Sequence, residues 1–276
     1  MSRVKAFVPI VISISIAWFF SFLIILSNME PPTLPLTPFS ESTNGQIPGM
    51  LPVNPAPYLN TLIFLGAVFA GSMFLVIFLK HLKKFVKILV TCALWLITFF
   101  VSSFYALLFT GTDIESVWLP VAALVATAIT YVSTSKRGLL SLLSCGFVGG
   151  SVGTILSNSM PFWTAIVLLL VISAYDALAV FRGHLRMIKE HDLESLRGFI
   201  VEYDNLIIGL GDMFFYSFLV SFATLHMGVL ASIGGALGIT LGYFLTLKLL
   251  EKRRMLPGLP GPILIGLCLA LLFSNL

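Results

Sequence analysis

The chain has 276 residues, of which 58% are hydrophobic and only 10% charged, with a mean hydropathy of +1.03 and a formal net charge of +4. Soluble globular domains do not reach these values, so the sequence describes an integral membrane protein whose surroundings are a lipid bilayer. The basic residues lie in loops with no aromatic interleaving, which excludes a nucleic-acid partner and describes a rim facing anionic lipid heads.

A helix needs about 20 apolar residues to cross a bilayer. Such runs occur at 6–27, 58–79, 86–109, 117–134, 138–157, 161–181, 206–225, 227–248 and 255–275. The expected fold is all-α, with nine transmembrane helices. The sixteen Lys and Arg residues fall only in alternate loops, and the intervening loops carry Glu30, Glu41, Asp113 and Glu115 instead. Because basic residues stay on the cytoplasmic side of short loops, the N-terminus is expected inside and the C-terminus external. The first span is longer than a signal-peptide core and no small-x-small site follows it, so it reads as a retained anchor.

In chain order, the loop at 28–57 holds eight of the fourteen prolines and cannot be helical. It reads as a linker in preference to a cap or substrate-sensing flap. Span two ends in Lys80-His81-Leu82-Lys83-Lys84, an orientation anchor, and spans three and four contain no embedded charge and read as scaffold. Span five contains Gly149-Gly150-Ser151-Val152-Gly153, a G-x-S-x-G match that lacks both a strand-turn-helix setting and an embedded histidine base. Close helix packing through small residues explains it better, and Gly234, Gly238 and Gly242 repeat the device in span eight. Cys92, Cys145 and Cys268 lie inside apolar spans at no ligand spacing, and His81, His184, His191 and His226 lie in loops or at span ends, so no metal and no cofactor is expected. The loop at 182–205 mixes Leu185, Ile188, Leu196, Phe199 and Ile200 with charges, as an interfacial amphipathic helix does.

Two acids interrupt apolar spans. Asp176 lies in Ile172-Ser173-Ala174-Tyr175-Asp176 and Asp212 in Ile208-Gly209-Leu210-Gly211-Asp212. An aspartate at the centre of a spanning helix is unfavourable by about 3 kcal/mol, so each needs a partner or a water-filled cavity. Asp176 precedes Arg182 by six residues and Asp212 follows Leu206 by six, which on helical rise places both about 9 Å from the inner edge. Gly209, Ser173 and Ala179 leave the surrounding faces open. Two adjacent carboxylates do not readily both ionise; sharing one proton, they can activate a water while polarising a peptide carbonyl. The third feature is Pro257-Gly258-Leu259-Pro260, which opens the last span in a non-helical form and exposes backbone donors and acceptors at the same depth. A substrate helix unwound at its peptide bond can be received there by strand addition.

Tyr175-Asp176, Gly209-Leu210-Gly211-Asp212 and Pro257-Gly258-Leu259-Pro260, in this order, resemble the presenilin and signal peptide peptidase family of intramembrane aspartyl proteases. The expected orientation is similar to the presenilin branch, and the short loops to its prokaryotic, archaeal members. The resemblance implies Asp176 and Asp212 as catalytic residues; Tyr175, Gly209, Leu210, Gly211, Pro257, Gly258, Leu259 and Pro260 as the substrate-binding surround; and single-pass transmembrane proteins with external N-termini as substrates. It further implies that accessory subunits are not required, while leaving a homo-oligomer open. Gly258 departs from the family, which usually has alanine there. On this reading residues 1–157 form a scaffold of five helices and 158–276 the catalytic bundle. A prepilin peptidase shares G-x-G-D but has fewer spans before its first aspartate. A proton-coupled transporter or cation leak would use the same carboxylates without explaining all three motifs, and an inactive binding member would not need both acids.

Overall fold

Helices are the economical way to satisfy backbone polar groups in lipid, and the apolar runs form them. The computed structural model describes residues 3–27, 34, 37–41, 54–110, 115–182, 196–203, 206–250 and 257–274. Among these the helices are α1 (Arg3–Leu26), α2 (Ala56–His81), α3 (Lys83–Thr110), α4 (Glu115–Ser135), α5 (Leu139–Ser159), α6 (Phe162–Arg182), α7 (Leu210–His226), α8 (Val229–Leu250) and α9 (Pro260–Phe273). Seven of these are long and apolar enough to cross a membrane. The exceptions, α7 and α9, fall on the seventh and ninth expected spans.

Those two spans are only partly helical. The strand β1 (Ile200–Tyr203) pairs antiparallel with β2 (Leu206–Gly209), Ile200 opposite Gly209 and Tyr203 opposite Leu206. The architecture is all-α as expected, with this one short hairpin added: the seventh span begins as a strand and turns helical at Leu210. The physical reason is alternation: Val201 and Ile208 are buried beside Leu142, Cys145 and Met213, while Ile207 is exposed. The ninth span becomes helical only at Pro260, a residue suited to a first helical position. Its 14 residues give a helix about 21 Å long, short of the roughly 30 Å hydrocarbon core.

The core is built around α7. Met213 and the run Phe215 to Thr224 are buried, so this helix is enclosed on all sides. Its neighbours approach through glycine. A Cβ on Gly153 of α5 would meet Phe214 O at 2.8 Å and Phe218 N at 2.9 Å, so the span-five glycines act as the small-residue seam expected of them. Hydrogen bonds reinforce it: Thr154 and Ser221 hydroxyls lie 2.7 Å apart, and Ser217 donates to Ser13 O of α1 at 3.0 Å. Along the α8–α9 contact, a Cβ on Gly238 would meet Gly266 Cα at 2.5 Å and one on Gly242 would meet Gly261 O at 2.5 Å. Gly228, at φ 94°, supplies the left-handed turn that returns the chain from α7 into α8.

The Pro-rich loop lies mostly outside the described residues, as do 183–195 and 204–205 of the 182–205 loop; the expected amphipathic helix falls largely there, and its described residues Leu196, Phe199 and Ile200 lie in a turn and in β1 instead. The described part of the Pro-rich loop is docked, unlike a passive linker. Asn60 of α2 accepts from Phe39 N at 3.1 Å and donates to Phe39 O at 2.9 Å. Glu41 accepts from Trp163 N, Thr164 N and Thr164 Oγ1 at 3.3, 2.7 and 2.6 Å. These are orphan donors of the first turn of α6, capped here by a residue from a distant loop.

Candidate functional site

Asp176 sits on α6, one and a half turns before its end, and Asp212 in the first turn of α7. The latter differs from a mid-helix position: Gly209 is the N-cap residue and Asp212 the third residue of the helix, where an acid meets the positive end of the helix dipole. Helical rise does not apply to β2, so the equal depth of the two acids needs another basis than counting residues. The Pro257–Leu259 turn supplies it, because it meets both carboxylates. Leu259 N donates to Asp176 Oδ2 at 2.9 Å. On the other side a Cβ placed on Gly258 would lie 3.1 Å from Asp212 Oδ2 and 3.3 Å from its Cγ. The two acids are close enough to interact electrostatically.

The turn is fixed from below as well. Tyr216, one helical turn after Asp212, donates its hydroxyl to Gly258 O at 2.9 Å, and the Leu259 side chain is buried in the central core with Ile263 and Tyr216. Tyr243 of α8 also lies within electrostatic range of Asp212. Neither tyrosine was among the residues expected at the site. Spacing could have found Tyr216, which is four residues from Asp212 and so on its face; no local signal points to Tyr243, which arrives from another helix.

The remaining expected residues divide. Gly209 ends β2 and Leu210 begins α7, its N–H donating to Phe199 O at 2.7 Å and extending the hairpin contact by one bond. Gly211 has open space where a side chain would project. Pro257 precedes the Asp-binding pair and Pro260 starts α9. Tyr175 is half-buried, and its hydroxyl lies 3.2 Å from Ser72 Oγ of α2, which ties α6 to α2 at that level. Ser173 donates back to Leu169 O at 2.8 Å and takes no part in the site. Among the described residues no group of side chains is arranged to hold a metal ion. A hairpin running into one acid, a second acid on the preceding helix, and a broken helix joining them constitute a carboxylate-pair site inside a membrane bundle.

That architecture is the presenilin-family fold. Two solved structures of a presenilin family intramembrane aspartate protease, in C222 and P2 crystal forms, superpose with TM-scores of 0.65 and 0.68 at 18% and 16% identity, and the match covers 97% and 100% of this chain and 99% and 98% of theirs. In sequence the chain is similar to Presenilin-B of Dictyostelium discoideum, with 36% identity over 128 residues, across 42% of this chain and 27% of that relative. The chain thus spans well under half the length of the curated relative it matches. No family model matches the chain.

Proposed function

We propose that the protein is an intramembrane aspartyl endopeptidase, with Asp176 and Asp212 as its catalytic pair and peptide bonds within transmembrane helices of single-pass proteins as its substrates. The observation that carries this reading is the Gly258–Leu259 turn, which donates to one carboxylate and packs against the other. The carboxylates share a proton and hold a water; the charged one takes a proton from that water as it attacks the scissile carbonyl, while the protonated one donates to the carbonyl oxygen. As the tetrahedral diol collapses, the acid that took the proton of the water gives it to the leaving nitrogen while the C–N bond breaks, and the other carboxylate recovers its proton from a diol hydroxyl, so the pair returns to its starting state.

A helical substrate offers no accessible peptide bond, so it must be unwound beside the pair. β2 is one of only two strands among the described residues, and it leads directly into Asp212. Its side away from β1 is a template for an extended substrate segment, and strand addition there would deliver the peptide to the carboxylates. This moves the receiving edge from the Pro257–Leu259 segment to the hairpin, leaving that segment to position the acids. The test is incubation of the reconstituted protein with a purified single-pass helix whose N-terminus is external, with products located by mass spectrometry. Cleavage within the helix, reduced at least about a thousandfold in Asp176→Ala and Asp212→Ala, is the expected result. Ion flux without proteolysis, lost in the same variants, would transfer the pair to a transport function.

A further inference from the structure

Ser72 interrupts an otherwise apolar face of α2. The half-buried stripe of that helix between 64 and 76 consists of Phe64, Leu65, Val68, Ser72, Leu75 and Val76, at the spacing of one helix face. Ser72 needs no partner from another helix, because its Oγ donates its single proton back to Phe69 O at 2.9 Å. Its contact with Tyr175 of α6, Oγ to Oη at 3.2 Å, therefore has one sense: the phenol donates and the serine oxygen accepts. A half-buried phenol needs an acceptor, and α2 supplies it.

The place of this bond gives it a consequence. Tyr175 immediately precedes Asp176, and α2 is the helix that packs most extensively against α6. A second polar tie between the two helices, Asn60 Nδ2 to Thr164 Oγ1 at 3.4 Å, lies toward their other ends, about 17 Å away along α6. The Ser72 tie is the one at the level of the carboxylates. Side-chain atoms lie about 5–6 Å from a helix axis, so turning α6 by about 10° carries the Asp176 carboxylate about 1 Å. Its bond from Leu259 N is 2.9 Å long, and a displacement of that size breaks a hydrogen bond.

We propose that Ser72 is a positioning residue of the carboxylate pair: by accepting from Tyr175 it fixes the rotation of α6 that keeps Asp176 on Leu259 N. The proposal rests on the reading of Asp176 and Asp212 as the catalytic pair, and it extends the apparatus to a helix that carries no acid of its own. Ser72 touches no reacting atom. Its signature is loss of turnover with substrate binding retained, because a misplaced carboxylate slows the chemical step without removing the surface that receives the substrate.

The test has two readouts on the full chain in nanodiscs. In cleavage of the single-pass helix, Ser72→Ala is expected to lower kcat about tenfold while KM changes less than about twofold. Ser72→Thr keeps the acceptor oxygen and is expected to recover most of that loss. Ser72→Ala combined with Tyr175→Phe is expected to fall no further than Tyr175→Phe alone, since both remove one bond. Met73→Ala, on the exposed side of α2, is expected to leave kcat unchanged. The Leu259 amide, followed by NMR, reads its bond to Asp176 without any need for proteolysis. Ser72→Ala is expected to shift its proton resonance upfield and to speed its hydrogen exchange several-fold, and Ser72→Thr to restore both. An unmoved Leu259 amide in Ser72→Ala, or a loss of kcat that Ser72→Thr does not recover, would overturn the proposal. A displaced amide in a chain whose wild type cleaves nothing would support the positioning and overturn only the proteolytic reading.

Discussion

Gly258 lies so close to Asp212 that an alanine methyl would sit 3.1 Å from the carboxylate, nearer than side chains ordinarily pack. The family alanine at this position is therefore not neutral in this chain. We predict that Gly258→Ala displaces the carboxylate by a few tenths of an ångström and lowers cleavage about tenfold with thermal stability retained; unchanged turnover would show that Asp212 has room to move. Tyr216→Phe removes the bond to Gly258 O. Leaving that carbonyl unpaired is expected to destabilise the protein by about 1–3 kcal/mol in thermal unfolding and to reduce kcat more than it raises KM. Asp176, Asp212 and the proline-glycine turn were legible because acids and helix breakers stand out in apolar runs. The 3.1 Å approach was not, because it depends on two segments far apart in sequence and on the exact path of the turn.

At the scale of elements, the hairpin and the docked loop are the features that helical periodicity missed. Ile200-Val201 and Ile207-Ile208 flank Asp204-Asn205, a β-branched pattern around two turn-forming residues that reads as a hairpin once strands are considered. Counting 206–209 toward a 20-residue apolar span concealed it, since a short apolar run does not distinguish strand from helix. Glu41 was legible only as an acid on the outer side; its partners on α6 are more than a hundred residues away. Glu41→Ala is expected to lower stability by about 1 kcal/mol through loss of the α6 cap, seen as a lower Tm in detergent, with Glu41→Gln intermediate because the amide keeps an acceptor. The glycine seams were read correctly from spacing, because only small residues let helices approach this closely. Gly153→Ala would place a methyl 2.8 Å from the backbone of α7 and is expected to destabilise the bundle by about 1–3 kcal/mol in the same assay; an unaltered Tm would mean that α5 shifts freely.

At the scale of the whole molecule, α1, α5, α6, α8 and α9 enclose the buried α7, and the elements that break the helical pattern meet at its first turn. Composition alone fixed the membrane class, and apolar run lengths located seven long helices to within a few residues. The two runs that proved only partly helical are those that meet beside Asp212, where backbone free of helical hydrogen bonds can face the carboxylates. The central claim is that Asp176 and Asp212 act as one unit on one peptide bond. Cleavage of a single-pass helix by Asp176→Asn, Asp212→Asn and the double variant, each in the same bilayer, tests it most directly. Residues acting as a unit are not additive, so each single variant is expected to fall to the level of the double. Substantial cleavage by either single variant, with a further drop in the double, would contradict it.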